Sequence, residues 1–194
     1  MGCRLCATRW HHQHVRAHIG ETLNARSSTP AGFAIRHASE ADFGDILRLN
    51  SEWVHFTSHL DATALAKLHA QSPYHRVVES GNRVVAFLLA MREGSDYASP
   101  NYRWFDDRGG SFLYVDRVIV GSPNQGKSLA QMLYDDLLDF AREAEVGRVV
   151  CELDIDPPNE ASRRFHDSYG FSEVGTQWVG DGAKRVSLRE LRVR

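Results

Sequence analysis

The sequence predicts a single α/β domain, a mixed central sheet flanked by helices, that begins near residue 33 and runs to residue 194. Strand-like apolar runs alternate with helix-like periodic segments in the order β-α-α-β-β-β-α-β-α-β-β. The composition, 42% hydrophobic and 25% charged residues with a net charge of −2, is typical of a globular chain that buries one core. These two observations together favour one compact α/β unit.

The first half of the domain shows one strand, two helices and a β-hairpin. Phe33–Arg36 has the short apolar pattern of a strand. Ser39 and Asp61 stand at the N-cap positions of two segments with helical apolar spacing. Ser80-Gly81-Asn82 lies between two apolar runs and predicts a hairpin turn. The segment from Glu93 to Gly110 is rich in turn-forming residues, and we expect it to be a loop.

The second half continues the alternation. A strand over Phe112–Val120 is followed by the longest helical pattern, from Ser128 to about Ala144, and then by a strand over Val149–Ile155. A helix over Glu160–Tyr169 ends at Gly170, since glycine favours the conformation that terminates helices. Two late strands complete the pattern, at Phe171–Val174 and Arg185–Leu191.

The same composition argues against two classes of partner. The longest apolar run, Val84 to Met91, is far shorter than the roughly 20 residues that a membrane-spanning helix needs. The near-neutral charge lacks the basic excess of nucleic-acid-binding domains. We therefore expect no membrane and no nucleic acid as partner. Three cysteines, one of them in a predicted strand, indicate a reducing, cytoplasmic setting.

Residues 1–32 differ from the rest in composition. They contain four arginines against a single acid, Glu21, and they end in a Ser/Thr/Pro/Gly-rich stretch. Because they show no apolar periodicity, we expect a disordered extension. Cys3-x-x-Cys6 with three following histidines has the residue types of a zinc site, which is the alternative. The segment lacks neighbouring elements that would hold such ligands, and we expect no metal.

A glycine loop follows the strand that ends at Val120. Gly121 to Ser128 fits the G-x-x-x-x-G-K-[ST] pattern of a phosphate-binding P-loop, between a strand and a helix as that motif requires. Backbone N–H groups at the helix start would bind phosphates, and Asp154 or Asp156 would hold Mg²⁺. Too few residues follow the loop for the parallel sheet that such proteins build after it. A nucleotide-binding P-loop protein is therefore the alternative interpretation.

The loop also contains a second pattern. Gln125 to Ala130 resembles the Q/R-x-x-G-x-G/A signature of the GNAT superfamily of N-acetyltransferases, which binds the pyrophosphate of acetyl-CoA. Ser128 stands where that family usually has its central glycine. Asn159 to Phe171 resembles the family's N-x-x-[AS]-x-x-x-[YH]-x-x-x-G-F segment, and it lies after the next strand as in that family. The segments Ser99–Trp104 and Tyr114–Val120 resemble those of one group of predicted acetyltransferases within the superfamily.

The resemblance covers roughly Phe33 to Arg192 and implies the acyl-CoA N-acyltransferase fold. It also implies direct transfer of an acetyl group from acetyl-CoA to an amine in a ternary complex. Helical spacing puts Asn159, Ser162 and His166 on one helix face. The resemblance implies that this face meets the cosubstrate. The cofactor-binding residues that the resemblance implies are Val118, Ile119, Val120, Gln125, Gly126, Lys127, Ser128, Leu129, Ala130, Asn159, Ser162 and Phe165.

Catalysis would further need an oxyanion donor, a base and an acid. The backbone N–H of Val118 is the candidate oxyanion donor. Asp116 and Glu152 are the main candidate bases, with Asp154 weaker, and strand alternation predicts that Asp116 shares the face of Val118. His166 stands where the family usually has a tyrosine acid, and we expect it to protonate the leaving thiolate. A packed histidine with a structural hydrogen bond is the alternative.

The acceptor is the least constrained part of the prediction. In the family it is bound by the first two helices, the loop before the fourth strand and the last hairpin. A small amine and a peptide amine both remain open, as do a homodimer and a non-catalytic acyl-CoA-binding module. Five aromatic residues in those segments could form a wall that receives a cation: Trp53, Phe56, Tyr97, Tyr102 and Trp104.

Overall fold

Seven strands form one sheet in the order β1-β2-β3-β4-β5-β7-β6 in a computed structural model of the chain, which describes residues 31–54 and 57–194. The strands are β1 (Ala34–His37), β2 (Tyr74–Ser80), β3 (Arg83–Arg92), β4 (Leu113–Val120), β5 (Arg148–Asp156), β6 (Ser172–Val179) and β7 (Lys184–Arg192). The helices are α1 (Phe43–Glu52), α2 (Ala62–Gln71), α3 (Pro100–Asp106), α4 (Leu129–Glu143) and α5 (Glu160–Tyr169). The expected extension and the alternative zinc ligands lie outside the described residues, apart from residues 31 and 32.

The predicted α/β class and its mixed sheet are confirmed. Every neighbouring pair of strands is antiparallel except β4 and β5, which are parallel. All eleven expected elements occur in the expected order. No helix within the described residues is long and apolar enough to cross a membrane.

Within the described residues, α3 is the one α-helix that the sequence does not predict, because the turn-forming residues around it suggest a loop. It begins with a local signal: the Ser99 side chain accepts a hydrogen bond from the Tyr102 backbone N–H, and Pro100 occupies the first helical position. Tyr102 and Phe105, four and one residues from the end of the helix, are buried in the core. Tertiary burial of this face stabilises a helix too short to persist alone.

The sheet buries an apolar core on each side. The first core lies under α1, α2 and α3 and contains residues such as Ile46, Leu65 and Phe105. The second lies under α4 and α5, where Leu133 and Leu137 are fully buried. We call these two sides of the sheet the α1–α3 face and the α4–α5 face.

Strands β4 and β5 separate after a short start. They pair only at Leu113 with Val149 and at Tyr114 with Val150, although β4 continues to Val120 and β5 to Asp156. Each keeps its outer neighbour, since β4 stays paired with β3 and β5 with β7. The space between residues 115–120 and 151–156, here called the β4–β5 gap, therefore interrupts the sheet at its centre.

Candidate active site

Backbone groups of β4 line one side of the β4–β5 gap. The Gly121 N–H donates to the Val85 carbonyl at 2.9 Å, so this residue pair belongs to the hydrogen-bonded set of the β3–β4 ladder. Such pairs alternate in an antiparallel ladder, which directs the backbone groups of Ile119 toward Phe87. Those of Val118 and Val120 are directed away from β3 and into the gap. The expectation that Ile119 also offers its backbone to a ligand is therefore wrong.

Gly121 allows the end of β4 to pack closely against α1. A Cβ added at this position would lie 2.8 Å from Leu49 Cδ2 and 3.3 Å from the Val85 carbonyl oxygen. Only glycine permits this approach without displacing a neighbour. The glycine loop thus starts from a fixed point in the core.

The glycine loop itself is exposed and has two residues with positive φ. A 3₁₀ turn over Ser122–Asn124 is followed by Gly126 with φ 74° and Ser128 with φ 58°, and α4 begins at Leu129. The Met132 N–H is bonded to the Ser128 carbonyl at 3.0 Å. The three preceding amides, of residues 129–131, have no acceptor within the helix. Together with the helix dipole they form a site that favours an anion.

Lys127 and the buried Leu129 hold the two sides of this anion site in place. Lys127 Nζ donates to Asn124 Oδ1 at 2.9 Å, which holds the ammonium beside the loop. Leu129 is buried in the core of the α4–α5 face and Ala130 is half-buried, so the helix start cannot move freely. Gln125, Gly126, Lys127 and Ser128 remain exposed. The loop presents polar groups to solvent on an anchored base.

Helix α5 places the expected Asn159, Ser162 and His166 on one side. Asn159 caps the helix, since its Oδ1 accepts from the Ser162 N–H at 3.1 Å. The Ser162 carbonyl in turn lies 2.8 Å from His166 Nδ1. Phe165 packs edge-on against Tyr134 of α4, which ties the two helices together. The predicted helix face is confirmed.

His166 is buried and both of its ring nitrogens have partners. A carbonyl oxygen can only accept, so Nδ1 carries the proton and donates it to Ser162. Nε2 then accepts from the Tyr134 hydroxyl at 2.7 Å. Burial lowers the pKa of His166 to about 4, and the ring is neutral at pH 7. This geometry matches the packing alternative, and proton donation by His166 stays a prediction that requires the Ser162 bond to break.

Glu152 lies on the opposite, α1–α3 face, beside the β4–β5 gap. Its Oε2 accepts from the Tyr114 hydroxyl at 2.7 Å. Burial raises the pKa of Glu152 to about 7, and the neighbouring Tyr114 and Asn101 partly offset this rise. A carboxyl group that gains and loses a proton near neutral pH suits a general base.

Asp116 occupies a β-bulge, and its predicted face is wrong. In the register with β3, Leu89 pairs with Arg117 and Ala90 pairs with Val115, so Asp116 is the extra residue. The bulge turns its side chain to the α1–α3 face, where it accepts from the Tyr97 hydroxyl. Val118 packs on the α4–α5 face instead. Simple alternation failed because it does not count an inserted residue.

The Asp116 carboxylate is also neutralised by a neighbour. Its Oδ2 lies 2.5 Å from Arg117 Nε, and both side chains are almost fully buried. Arg117 donates further to Asn50 Oδ1 at 2.7 Å, which links β4 to α1. Both carboxylate oxygens of Asp116 therefore already have a partner, Tyr97 on Oδ1 and Arg117 on Oδ2.

The comparisons with known proteins agree with this arrangement. Residues 39–171 match the model of the acetyltransferase (GNAT) family, which is more than half of the chain. The chain belongs to the GNAT family of acetyltransferases. No curated protein matches the sequence at a significant level.

Solved structures similar to this one are GNAT-fold proteins. Ard1 from Thermoplasma volcanium aligns with a TM-score of 0.67 at 19% identity, over 84% of this chain and 99% of that one. The yncA protein from Salmonella typhimurium, solved with acetyl-CoA, aligns with a TM-score of 0.63 at 23% identity, over 84% of this chain and 95% of that one. Naa50 from Arabidopsis thaliana, in complex with the bisubstrate analogue CoA-Ac-MVNAL, aligns with a TM-score of 0.64 at 13% identity, over 82% of this chain and 98% of that one. At these identities the likeness shows the fold.

The GNAT fold removes the basis of the P-loop interpretation. Strand β4 is hydrogen-bonded to an antiparallel neighbour along its length and touches a parallel one at two residues only. Asp154, one proposed Mg²⁺ ligand, is paired with Lys184 at 3.1 Å. Within the described residues, no three His, Cys, Asp or Glu side chains are grouped to hold a metal ion. Neither the topology nor the family match supports a P-loop.

The expected aromatic wall is largely part of the core. Tyr102 is 1% exposed and Tyr97 is bonded to Asp116. Trp104 lies against β6, where a Cβ on Gly175 would come within 2.5 Å of its ring. Trp53 is half-buried, and Phe56 lies outside the described residues. The described rings therefore pack mainly within the α1–α3 face and do not form an open aromatic wall.

Three polar residues of the site were not anticipated: Tyr114, Asn101 and Gln177. Tyr114 lies in a strand with an apolar pattern, and that pattern does not reveal a role for its hydroxyl. Asn101 lies on the unpredicted α3, and Gln177 on a β6 that extends further than expected. The Ser99-Pro100 pair, a cap followed by a first-turn proline, is the signal that could have revealed the helix.

Proposed function

We propose that this protein is an N-acetyltransferase that moves an acetyl group from acetyl-CoA directly to an amine. The observation that carries the proposal is the β4–β5 gap, which opens between the anion site of α4 on one face and Glu152 on the other. Acetyl-CoA supplies the activated thioester. Solved relatives of the same fold contain acetyl-CoA or a CoA–peptide analogue, which supports the assignment.

The cosubstrate would be held by the loop and by the edge of β4. Gln125 to Ala130, with the free amides at the start of α4, would bind the pyrophosphate. The backbone groups of Val118 and Val120 would bind the pantetheine amides as an added strand. Asn159, Ser162 and Phe165 would approach the arm from α5. Apart from Leu129, which is buried, each of these residues is exposed or half-buried.

The backbone N–H of Val118 would stabilise the oxyanion of the tetrahedral intermediate. It points into the gap and has no partner in the β3–β4 ladder, since it belongs to the non-hydrogen-bonded set. A single preorganised donor of this kind contributes about 2.7–4 kcal/mol in other enzymes. The backbone at this position would therefore contribute to catalysis without any side chain.

Glu152 would take the proton from the acceptor ammonium. An alkylammonium with a pKa near 10 is almost fully protonated at pH 7, so a base is required. Glu152 is favoured over Asp116 because it has no cationic partner among its described contacts, whereas Asp116 is paired with Arg117. The acceptor would be a small amine or a peptide amine that enters on the α1–α3 face. His166 is the proposed donor to the leaving thiolate, and because its ring is neutral at pH 7 it would have to take up a second proton before it donates one.

The experiment is an acetylation screen with a matched base variant. Purified protein, acetyl-CoA and a panel of primary amines, amino acids and short peptides are assayed by release of the CoA thiol. Glu152→Gln should lower kcat about 10²–10⁴-fold with acetyl-CoA affinity unchanged. Glu79→Gln, a carboxylate paired with Arg36 far away on β2, should leave turnover intact. Full turnover by Glu152→Gln would refute the base assignment, and acetyl-CoA binding without any acceptor would favour a binding module.

A further inference from the structure

The β-bulge in β4 places two neighbouring charged side chains on the same face of the sheet. Consecutive residues of a regular strand point to opposite faces. Arg117 pairs with Leu89 of the α1–α3 core, and the inserted Asp116 is turned to that same face. Arg117 is only 5% exposed, and it immediately precedes Val118, the proposed oxyanion donor. A buried cation therefore lies on β4 beside the β4–β5 gap.

The guanidinium of Arg117 connects β4 to residues 57–60, here called the 57–60 segment, which precede α2. Its Nη1 donates to Asn50 Oδ1 of α1 at 2.7 Å, and its Nη2 donates to Ser58 Oγ at 3.2 Å. Asn50 is itself buried, and its Nδ2 donates to the Ser58 carbonyl at 3.2 Å. Its Oδ1 also accepts from the Thr57 hydroxyl at 3.3 Å. One arginine and one asparagine thus hold the segment against the sheet.

The ion pair with Asp116 fixes the direction of the arginine. Nε lies 2.5 Å from Asp116 Oδ2, and the two side chains are 3% and 4% exposed. A guanidinium is a planar fork, so with Nε engaged the terminal nitrogens are directed to Asn50 and Ser58. A lysine has one ammonium on a flexible stem and does not reproduce this set of directions. The chemistry at this position therefore requires arginine.

The 57–60 segment lies beside the path that the acceptor would take. Arg117 belongs to the part of β4 that borders the gap, and Glu152 faces the same side of the sheet from β5. Ser58 and His59 are exposed, so the outer side of the segment meets solvent. An amine that enters from the α1–α3 face toward Glu152 would pass next to this segment.

We propose that Arg117 is a positioning residue that fixes the 57–60 segment as one wall of the acceptor entrance. The inference rests on the proposed function. Arg117 touches neither acetyl-CoA nor the acceptor in this scheme, because its guanidinium is engaged by Asp116, Asn50 and Ser58. A wall that is ordered before binding costs less to order on binding. Loss of the arginine should therefore weaken acceptor binding and leave the chemical step in place.

The test compares Arg117→Lys with a matched variant, Arg36→Lys. Arg36 lies on β1, three strands from β4, and it also pairs with a buried aspartate, Asp42. Steady-state kinetics are measured with an amine that the acetylation screen identifies. Hydrogen exchange of the Thr57 amide, which donates to the Trp53 carbonyl at 3.1 Å, is followed by NMR and needs no acceptor.

Arg117→Lys should raise the acceptor KM about tenfold, the effect of losing one hydrogen bond to a charged group. The Thr57 amide should exchange about tenfold faster, while kcat and acetyl-CoA affinity stay within about twofold. Arg36→Lys should leave both the acceptor KM and the Thr57 exchange rate unchanged.

Other outcomes overturn the proposal. A merely structural Arg117 would lower the melting temperature and leave the acceptor KM and Thr57 exchange as they are in Arg36→Lys. If Arg117→Lys does not fold, Ser58→Ala replaces it, since that variant keeps the ion pair with Asp116. An unchanged KM and exchange rate in Ser58→Ala overturn the proposal equally. Failure of the proposed function is seen separately, when the unchanged protein acetylates no amine.

Discussion

Replacing Ser128 by glycine should stabilise the free protein and keep or tighten its binding of acetyl-CoA. Ser128 has φ 58° and ψ 20°, a left-handed conformation that costs a residue with a Cβ about 1–2 kcal/mol. Its side chain makes no capping hydrogen bond, so nothing is lost with the hydroxyl. Glycine returns about 0.4–1 kcal/mol through the freer unfolded chain. The net gain is about 0.5–1 kcal/mol, or about 1–4 °C in melting temperature for a domain of this size.

The assay is thermal unfolding together with calorimetry of acetyl-CoA binding. Ser128→Ala keeps the strained backbone and should melt close to the unchanged protein. Gly126→Ala is the converse control: its φ is 74° and an added Cβ meets no atom within 4 Å, so any loss of about 1 kcal/mol is conformational. A lower melting temperature for Ser128→Gly, or weaker acetyl-CoA binding, would refute the reasoning. Loss of nucleotide binding in that variant would instead indicate a Mg²⁺ ligand.

Three further predictions concern buried histidines and one glycine. Burial lowers the pKa of both His75 and His166 to about 4, so the unfolded chain takes up protons first as the pH falls. The free energy of unfolding should therefore be highest above pH 6.5 and fall by up to about 3 kcal/mol per histidine between pH 6.5 and 4. Urea unfolding of His166→Gln should show a smaller fall over this range, and a fall equal to that of the unchanged protein would contradict the prediction. Gly175→Ala should cost about 1–3 kcal/mol by displacing Trp104, which urea unfolding would detect, and an unchanged midpoint of unfolding would argue against the close contact. If His166 is the acid, His166→Phe lowers kcat about 10²–10⁴-fold and His166→Tyr recovers part of it, whereas equal turnover of the two removes His166 from the mechanism.

The order of elements could be predicted because it depends on local patterns. Apolar periodicity identified α4, and the caps Ser39 and Asp61 identified the starts of the first two helical segments. The glycine loop lies between β4 and α4 as expected, and Asn159 caps α5. Each of these features depends on residues that are close together in the sequence, so it can be predicted without knowledge of any tertiary contact.

The features that were missed depend on tertiary structure. The bulge at Asp116 is set by the pairing of β4 with β3, and strand alternation in β4 alone does not contain it. Helix α3 is stabilised by the burial of one face, against a sequence full of turn formers. One partner of His166, the Tyr134 hydroxyl, comes from α4, 32 residues away in the chain. The face, the ionisation and the bonding of the candidate catalytic groups were therefore accessible only from the structure.

The most direct measurement of the central claim is a thermal-shift comparison of acetyl-CoA with ATP-Mg²⁺. A ligand at 100 times its Kd stabilises the native state by about 2.7 kcal/mol, which corresponds to about 5–11 °C here. Acetyl-CoA should raise the melting temperature by that amount, and ATP-Mg²⁺ should leave it unchanged. A rise with ATP-Mg²⁺ and none with acetyl-CoA would contradict the assignment of the glycine loop and the β4–β5 gap to an acetyl-CoA site.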